Sequence, residues 1–123
     1  MTDSSISGRA AIVGLGATEF SKNSGRTELR LALEATLSAL KDAGIDPSEV
    51  EGFSSYSVDK VPEYEIAPLL GCKDVKFFSQ VPHGGGAACG PVMHAAMAVA
   101  TAVAEVVVVY RGMNEASWYR FRT

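Results

Sequence analysis

Apolar positions along this chain switch between runs, which suit strands, and helical spacing. Residues 10–15, Ala-Ala-Ile-Val-Gly-Leu, form an unbroken apolar run with a glycine near its end, the pattern of a buried first strand. Residues 14–20 predict a turn, and a polar loop rich in Ser, Asn and Gly reaches Arg26. Thr27 suits an N-cap, and Leu29, Leu33, Thr36, Leu37, Leu40 and Ala43 recur at helical spacing before a closing Gly44. Asp46-Pro47 predicts a turn into a second strand over 52–58. Residues 62–70 predict a short helix stopped by Gly71, and residues 75–79 a third strand. Pro82-His83-Gly84-Gly85-Gly86 is a glycine-rich turn leading directly into an Ala-rich helix. Residues 105–110, with four consecutive valines, predict the strongest strand of all.

Strands alternating with helices imply an α/β fold, βαβαβαβ, with a mostly parallel sheet covered on both faces. The Ala-rich helix carries Val92, Met93, Ala96, Met97, Val99, Ala100 and Val103 and shows no polar face. Such a helix is expected to be buried all round, and one sheet covers only one side. A further layer has to come from more chain or from a second subunit.

Composition narrows the classes of function. The 123 residues make one domain at most, and 47% hydrophobic with 20% charged residues is globular. A net charge of -3 argues against nucleic-acid binding. Arg111, Arg120 and Arg122 read as a solvated or interface rim. Cys72 and Cys89 make no disulfide framework, and residues 1–5 are polar, so a cytoplasmic protein without a signal peptide is expected. Residues 87–104 lack Asp, Glu, Lys and Arg, but Gly90, Pro91 and His94 interrupt them. A helix buried in protein is expected there, not a membrane span.

Several residues invite chemistry. Gly14-x-Gly16 begins like a dinucleotide fingerprint, but Glu19 stands where the third glycine belongs, so a plain tight turn is expected. Gly84, Gly85 and Gly86 feed a helix whose unpaired N–H groups would attract an anion or a developing oxyanion, and glycines let a ligand approach the backbone. Pro91 belongs in a first helical turn, which puts the helix start between residues 87 and 90 and Cys89 beside it. A thiol there would act as a nucleophile or pack as a buried apolar group; the second is favoured. His83 would hydrogen-bond a ligand or be an ordinary loop residue. His94 reads as a satisfied core histidine and Cys72 as structural. No spacing of metal ligands is present.

Taken together, the segments resemble the N-terminal half of the thiolase superfamily. Residues 11–20 are similar to its opening strand and turn, residues 33–46 with Val50-Glu51-Gly52 to its first helix and second strand, and residues 84–88, 95–100 and 104–109 to its central helix and following strand. Within it the chain is most similar to the lipid-transfer-protein group of steroid side-chain-degrading aldolases. The resemblance implies a thiolase-like half, residues 1–123, of a dimeric lyase that cleaves a carbon–carbon bond in a β-hydroxyacyl-CoA. It implies no bound cofactor, coenzyme A entering with the substrate, and a partner with an OB-fold and a zinc-binding segment. His83, Gly84, Gly85, Gly86 and Cys89 would contact substrate, and the acid and base would lie in the absent C-terminal half. Gly85 stands where thiolases carry their acyl-accepting cysteine, with Cys89 one helical turn later. An acyltransferase using Cys89, or a non-catalytic lipid carrier or scaffold, are the alternatives.

Overall fold

Thr27 opens the first helix as its residue type favours. In the computed structural model, which describes residues 5–57, 59–82 and 89–114, its hydroxyl accepts from the Arg30 N–H at 3.1 Å. Helix α1 spans Glu28–Ala43, and Gly44, at φ 71°, closes it by donating to the Leu40 and Lys41 carbonyls. Asp46 and Glu49 then form a reciprocal capping box around a 3-10 turn, Pro47–Glu49, satisfying donors that would otherwise be orphaned. Strand β1, Gly52–Tyr56, follows. Helix α2, Glu63–Leu70, is stopped by Gly71, as its position after the apolar run predicts. Strand β2 is Phe77–Val81, α3 is Gly90–Ala100 and β3 is Val107–Val109.

The strands are parallel, in the order β2-β1-β3, with Gly52 opposite both Phe77 and Val107. Alternation along β1 sends Phe53 to one face and Ser54 to the other. Phe53 joins Ala32, Leu40, Val50, Val61, Ile66, Ala67, Leu70 and Tyr110 in the core beneath α1 and α2. Phe53, Val50 and Ile66 are almost fully buried, each worth about 1.5–3 kcal/mol relative to exposure. Tyr110 meets Phe53 edge-on and donates its phenol to the Val61 carbonyl. Burial lifts that phenol to about 12, so it stays a donor. On the other face Ser54 donates to the Pro91 carbonyl at 2.8 Å, which seats α3 on the sheet. The α/β, mostly parallel architecture is therefore as expected.

Five details depart from the sequence reading, the first being that β1 ends at Tyr56, where the Asp59 N–H turns back to the Tyr56 carbonyl, rather than at residue 58. Residues 10–20 form no strand and no tight turn, and Ile12, Val13 and Leu15 are 62–76% exposed. Instead Gly14 and Gly16 lie so close on α1 that an added Cβ would strike the Ala39 and Ala35 carbonyls. The glycines serve close packing on an alanine stripe, and β1 already has a neighbour on each edge. Strand β2 starts two residues later than expected, because the Lys76 and Phe77 N–H groups both donate to the Glu51 carbonyl and set the register from there. Strand β3 is three residues long rather than the strongest strand, since its ladder is limited to the residues that face β1. On α1, Leu37 is 41% exposed while Leu31 and Ala32 are buried; the extended segments cover the alanine side instead.

Helix α3 buries Pro91, Ala95 and Ala98 against the sheet. Val92, Met93 and Met97 are 43–53% exposed on its other side, so the face expected to need further cover has none within the described residues. No helix among those residues is long and apolar enough to cross a membrane.

Candidate functional site

Parallel strands deliver their carboxyl ends to one rim, where open α/β sheets bind ligands. Here that rim is built from three returns of the chain. Strand β2 runs through Val81 and Pro82 toward His83, Gly84, Gly85 and Gly86, which lie outside the described residues. Cys89 caps α3 and is exposed, not packed as the buried apolar group favoured from the sequence, because the helix seats on the sheet through Gly90 and Pro91, the next two residues. Helix α3 thus starts within the expected window, with Pro91 in its first turn. Gly90 rests on Val81: an added Cβ would meet the valine side chain at 3.1 Å.

His83 is outside the described residues. His94 is half-buried on α3, and its Nδ1 lies 2.5 Å from the Ser79 hydroxyl of β2. It is held by the sheet, as a core histidine would be, and is engaged with Ser79 rather than Cys89. Cys72 is half-buried with its thiol toward the Pro47 carbonyl at 3.8 Å. Burial pushes that thiol up from its usual value, which fits a structural cysteine. No group of His, Cys, Asp and Glu fit to hold a metal occurs among the described residues.

A cluster at the same rim escaped the sequence reading. Arg111 follows β3, and although Arg120 and Arg122 lie outside the described residues, Arg111 itself is no free rim charge. Its Nε lies 3.1 and 3.2 Å from the two Asp59 oxygens and its Nη2 3.1 Å from Oδ1. The Asp59 side chain is 1% exposed. Burial raises its carboxyl above the usual range, and Arg111 pulls it partway back. The guanidinium also stands 5.1 Å from the Tyr56 ring centre, a cation–π distance. Asp59 and Arg111 are 52 positions apart, and no periodicity could have paired them. Farther along, the Asn114 side chain donates to the Arg26 carbonyl at 2.6 Å, tying the exit of β3 to the loop before α1.

No family model matches the chain. It is 58% identical over 116 residues to the 17-hydroxy-3-oxo-4-pregnene-20-carboxyl-CoA lyase of Mycobacterium tuberculosis. It is 57% identical over 116 residues to the steroid side-chain-cleaving aldolase of Thermomonospora curvata. Each match takes in 94% of this chain and 30% of the relative, so the chain spans about a third of their length. Among solved structures, an Ltp2-ChsH2(DUF35) aldolase superposes with a TM-score of 0.84 at 58% identity, over 88% of this chain and 28% of that one. A priming β-ketosynthase from the R1128 polyketide pathway superposes at 0.57 over 71% of this chain and 28% of that one. At 24% identity that likeness shows the fold alone. In sequence the chain is similar to steroid side-chain aldolases, on a thiolase-like α/β fold.

Proposed function

We propose that this chain is the N-terminal portion of a lyase that cleaves a steroid side chain from its nucleus by retro-aldol chemistry. The observation that carries the reading is 58% identity across 94% of the chain to a lyase named for a 17-hydroxy steroid CoA thioester. In such a reaction a base removes the proton of the β-hydroxyl. The bond between the carbinol carbon and the α-carbon breaks, and its electron pair enters the thioester as an enolate. Protonation at the α-carbon completes the cleavage. For the 17-hydroxy substrate in that name, the products are a 17-ketone and a propionyl thioester. The balance needs no water, no redox partner and no acyl-enzyme. It does need hydrogen-bond donors where the thioester oxygen gains charge.

The glycines at 84–86, leading toward α3, support a role in holding that oxygen, with His83 and Cys89 beside the substrate. The base and acid would come from the C-terminal part of the longer protein. Coenzyme A would enter as part of the substrate, with no resident cofactor. The finer placement in the lipid-transfer-protein group, with an OB-fold and zinc-binding partner, draws support from the Ltp2-ChsH2(DUF35) neighbour. A cytoplasmic homodimer is part of the same proposal. Its interface would use β2, which lies at a sheet edge with Phe78 66% exposed, and the segment beyond Gly112. Trp118→Ala should then weaken dimerisation by more than about 1 kcal/mol, read by sedimentation equilibrium.

The deciding experiment incubates the full-length protein and its partner with the 17-hydroxy steroid CoA thioester and follows both products by mass spectrometry. Stoichiometric ketone and propionyl-CoA are expected. Binding of the thioester without cleavage would make the protein a carrier and end the lyase reading.

A further inference from the structure

Tyr56 closes β1 with 4% of its surface exposed, yet its phenol oxygen has no hydrogen-bond partner among the described residues. A buried hydroxyl left without a partner is costly and calls for a physical reason. The Thr36 hydroxyl is also buried and unpartnered, but it lies mid-helix on α1, whereas Tyr56 stands at the carboxyl end of the sheet. Its register partner is Val81, the residue that touches Gly90 at the start of α3. Two positions earlier on the same face, Ser54 donates to the Pro91 carbonyl. On its other side stands the Arg111 guanidinium, fixed by the buried Asp59. An unspent donor is therefore carried on the strand face that seats α3, on a ring with a cation held over it.

We propose that Tyr56 is a substrate-binding residue whose phenol donates a hydrogen bond to the thioester oxygen, with Arg111 and Asp59 as positioning residues. The assignment rests on the retro-aldolase reading and deepens it. A neutral donor beside a fixed positive charge favours an oxygen that gains negative charge, as the thioester carbonyl does on becoming an enolate. Asp59 holds Nε and Nη2 of the guanidinium, which keeps the cation over the ring. Sequence reading had no access to this residue, because Tyr56 looks like any buried strand aromatic.

The test uses the full-length protein with its partner and the 17-hydroxy steroid CoA thioester. Wild-type turnover comes first: if the wild type does not cleave, the retro-aldolase reading falls and this assignment with it. Given an active wild type, Tyr56→Phe should lower kcat about 100-fold, the size expected for one lost oxyanion donor. KM should change by less than about threefold, because the bond strengthens as charge develops. The thermal midpoint should hold or rise. Arg111→Lys, which keeps the charge and loses the fork, should lower kcat about 10-fold. A Tyr56→Phe enzyme with kcat within about twofold of an active wild type would overturn the assignment alone, since the phenol would then be satisfied by protein. A loss of turnover that only follows a loss of folded protein would overturn it too, making Tyr56 structural.

Discussion

Asp59 shows how one buried charge depends on one neighbour. Its carboxylate is out of water, and Arg111 with the Gly112 backbone N–H compensates it. Because the folded value is raised, this carboxyl adds stability below its unfolded pKa. That contribution fades as pH rises through the raised folded value. Removing Arg111 would raise the folded value further and widen the penalty at neutral pH. Arg111→Met in the full-length protein should therefore cost about 2 kcal/mol at pH 7. This is less than the 3–5 kcal/mol of a fully buried pair, because half of the Arg111 side chain is exposed. At pH 4 the loss should shrink as Asp59 protonates. Urea unfolding at the two pH values checks this, and an equal loss at both would contradict it. Cys89 tells the opposite story. It is exposed beside a helix start, but His94, the histidine among the described residues, is engaged by Ser79. Retro-aldol cleavage needs no thiolate, so Cys89→Ala should keep at least about a tenth of turnover, a barrier change below ~1.4 kcal/mol. Gly85→Val should cost far more. A folded but dead Cys89→Ala enzyme, or an acyl adduct on Cys89 by mass spectrometry, would favour the acyltransferase alternative.

At the scale of elements, α1 is a platform with two different sides. Leu31, Thr36 and Leu40 are buried, with Ala32 and Leu40 in the core. The stripe through Ala32, Ala35, Ala39 and Ala43 admits backbone. Gly112 lies against Glu28 and Ala32, while Gly14 and Gly16 lie against Ala35, Ala39 and Ala43. Three glycines meeting one alanine stripe bring extended chain within van der Waals reach of the helix, and the Leu15 N–H donates to Asp42 at 3.0 Å. Gly16→Val should lift residues 10–20 off the helix, since its Cβ would meet helix backbone that cannot move aside. In the full-length protein a destabilisation of about 1–3 kcal/mol is expected, as for other overpacking changes, with faster amide exchange confined to that segment. Unaltered exchange at Leu15 would show that the close approach is not a constraint.

For the whole molecule, the open question is cover. The exposed side of α3 carries Val92, Met93 and Met97, Val103 follows, and Ile12, Val13, Leu15 and Phe20 are exposed on the N-terminal segment. Burying one more side of an apolar helix removes several hundred Å², of order 10 kcal/mol gross at ~25 cal/mol per Å². That is comparable to the net stability of a domain. The isolated 123-residue chain should accordingly self-associate or remain partly unfolded at micromolar concentration. A well-folded monomer in sedimentation velocity would refute this.

The sequence alone determined what depends on local chemistry. Thr27, Gly44 and Gly71 set helix ends because capping and left-handed backbone are properties of single residues. The turn at Asp46-Pro47 and the segment Val75-Lys76-Phe77-Phe78-Ser79 located β1 and β2 to within two residues, and the lack of a polar face on α3 showed one side left over. Tertiary structure alone decided what depends on distant partners. Residues 10–15 have a strand's composition, but Gly14 and Gly16 let them lie against the Ala39 and Ala35 carbonyls of α1 instead of a sheet edge. Four valines did not lengthen β3, because the chain leaves the ladder at Tyr110, whose ring packs on Phe53 and whose phenol reaches the Val61 carbonyl. The Asp59–Arg111–Tyr56 cluster joins residues brought together only by parallel register at one end of the sheet. A buried charge pair leaves no periodic trace in a sequence, because its cost and its relief arise only when two strands fold side by side.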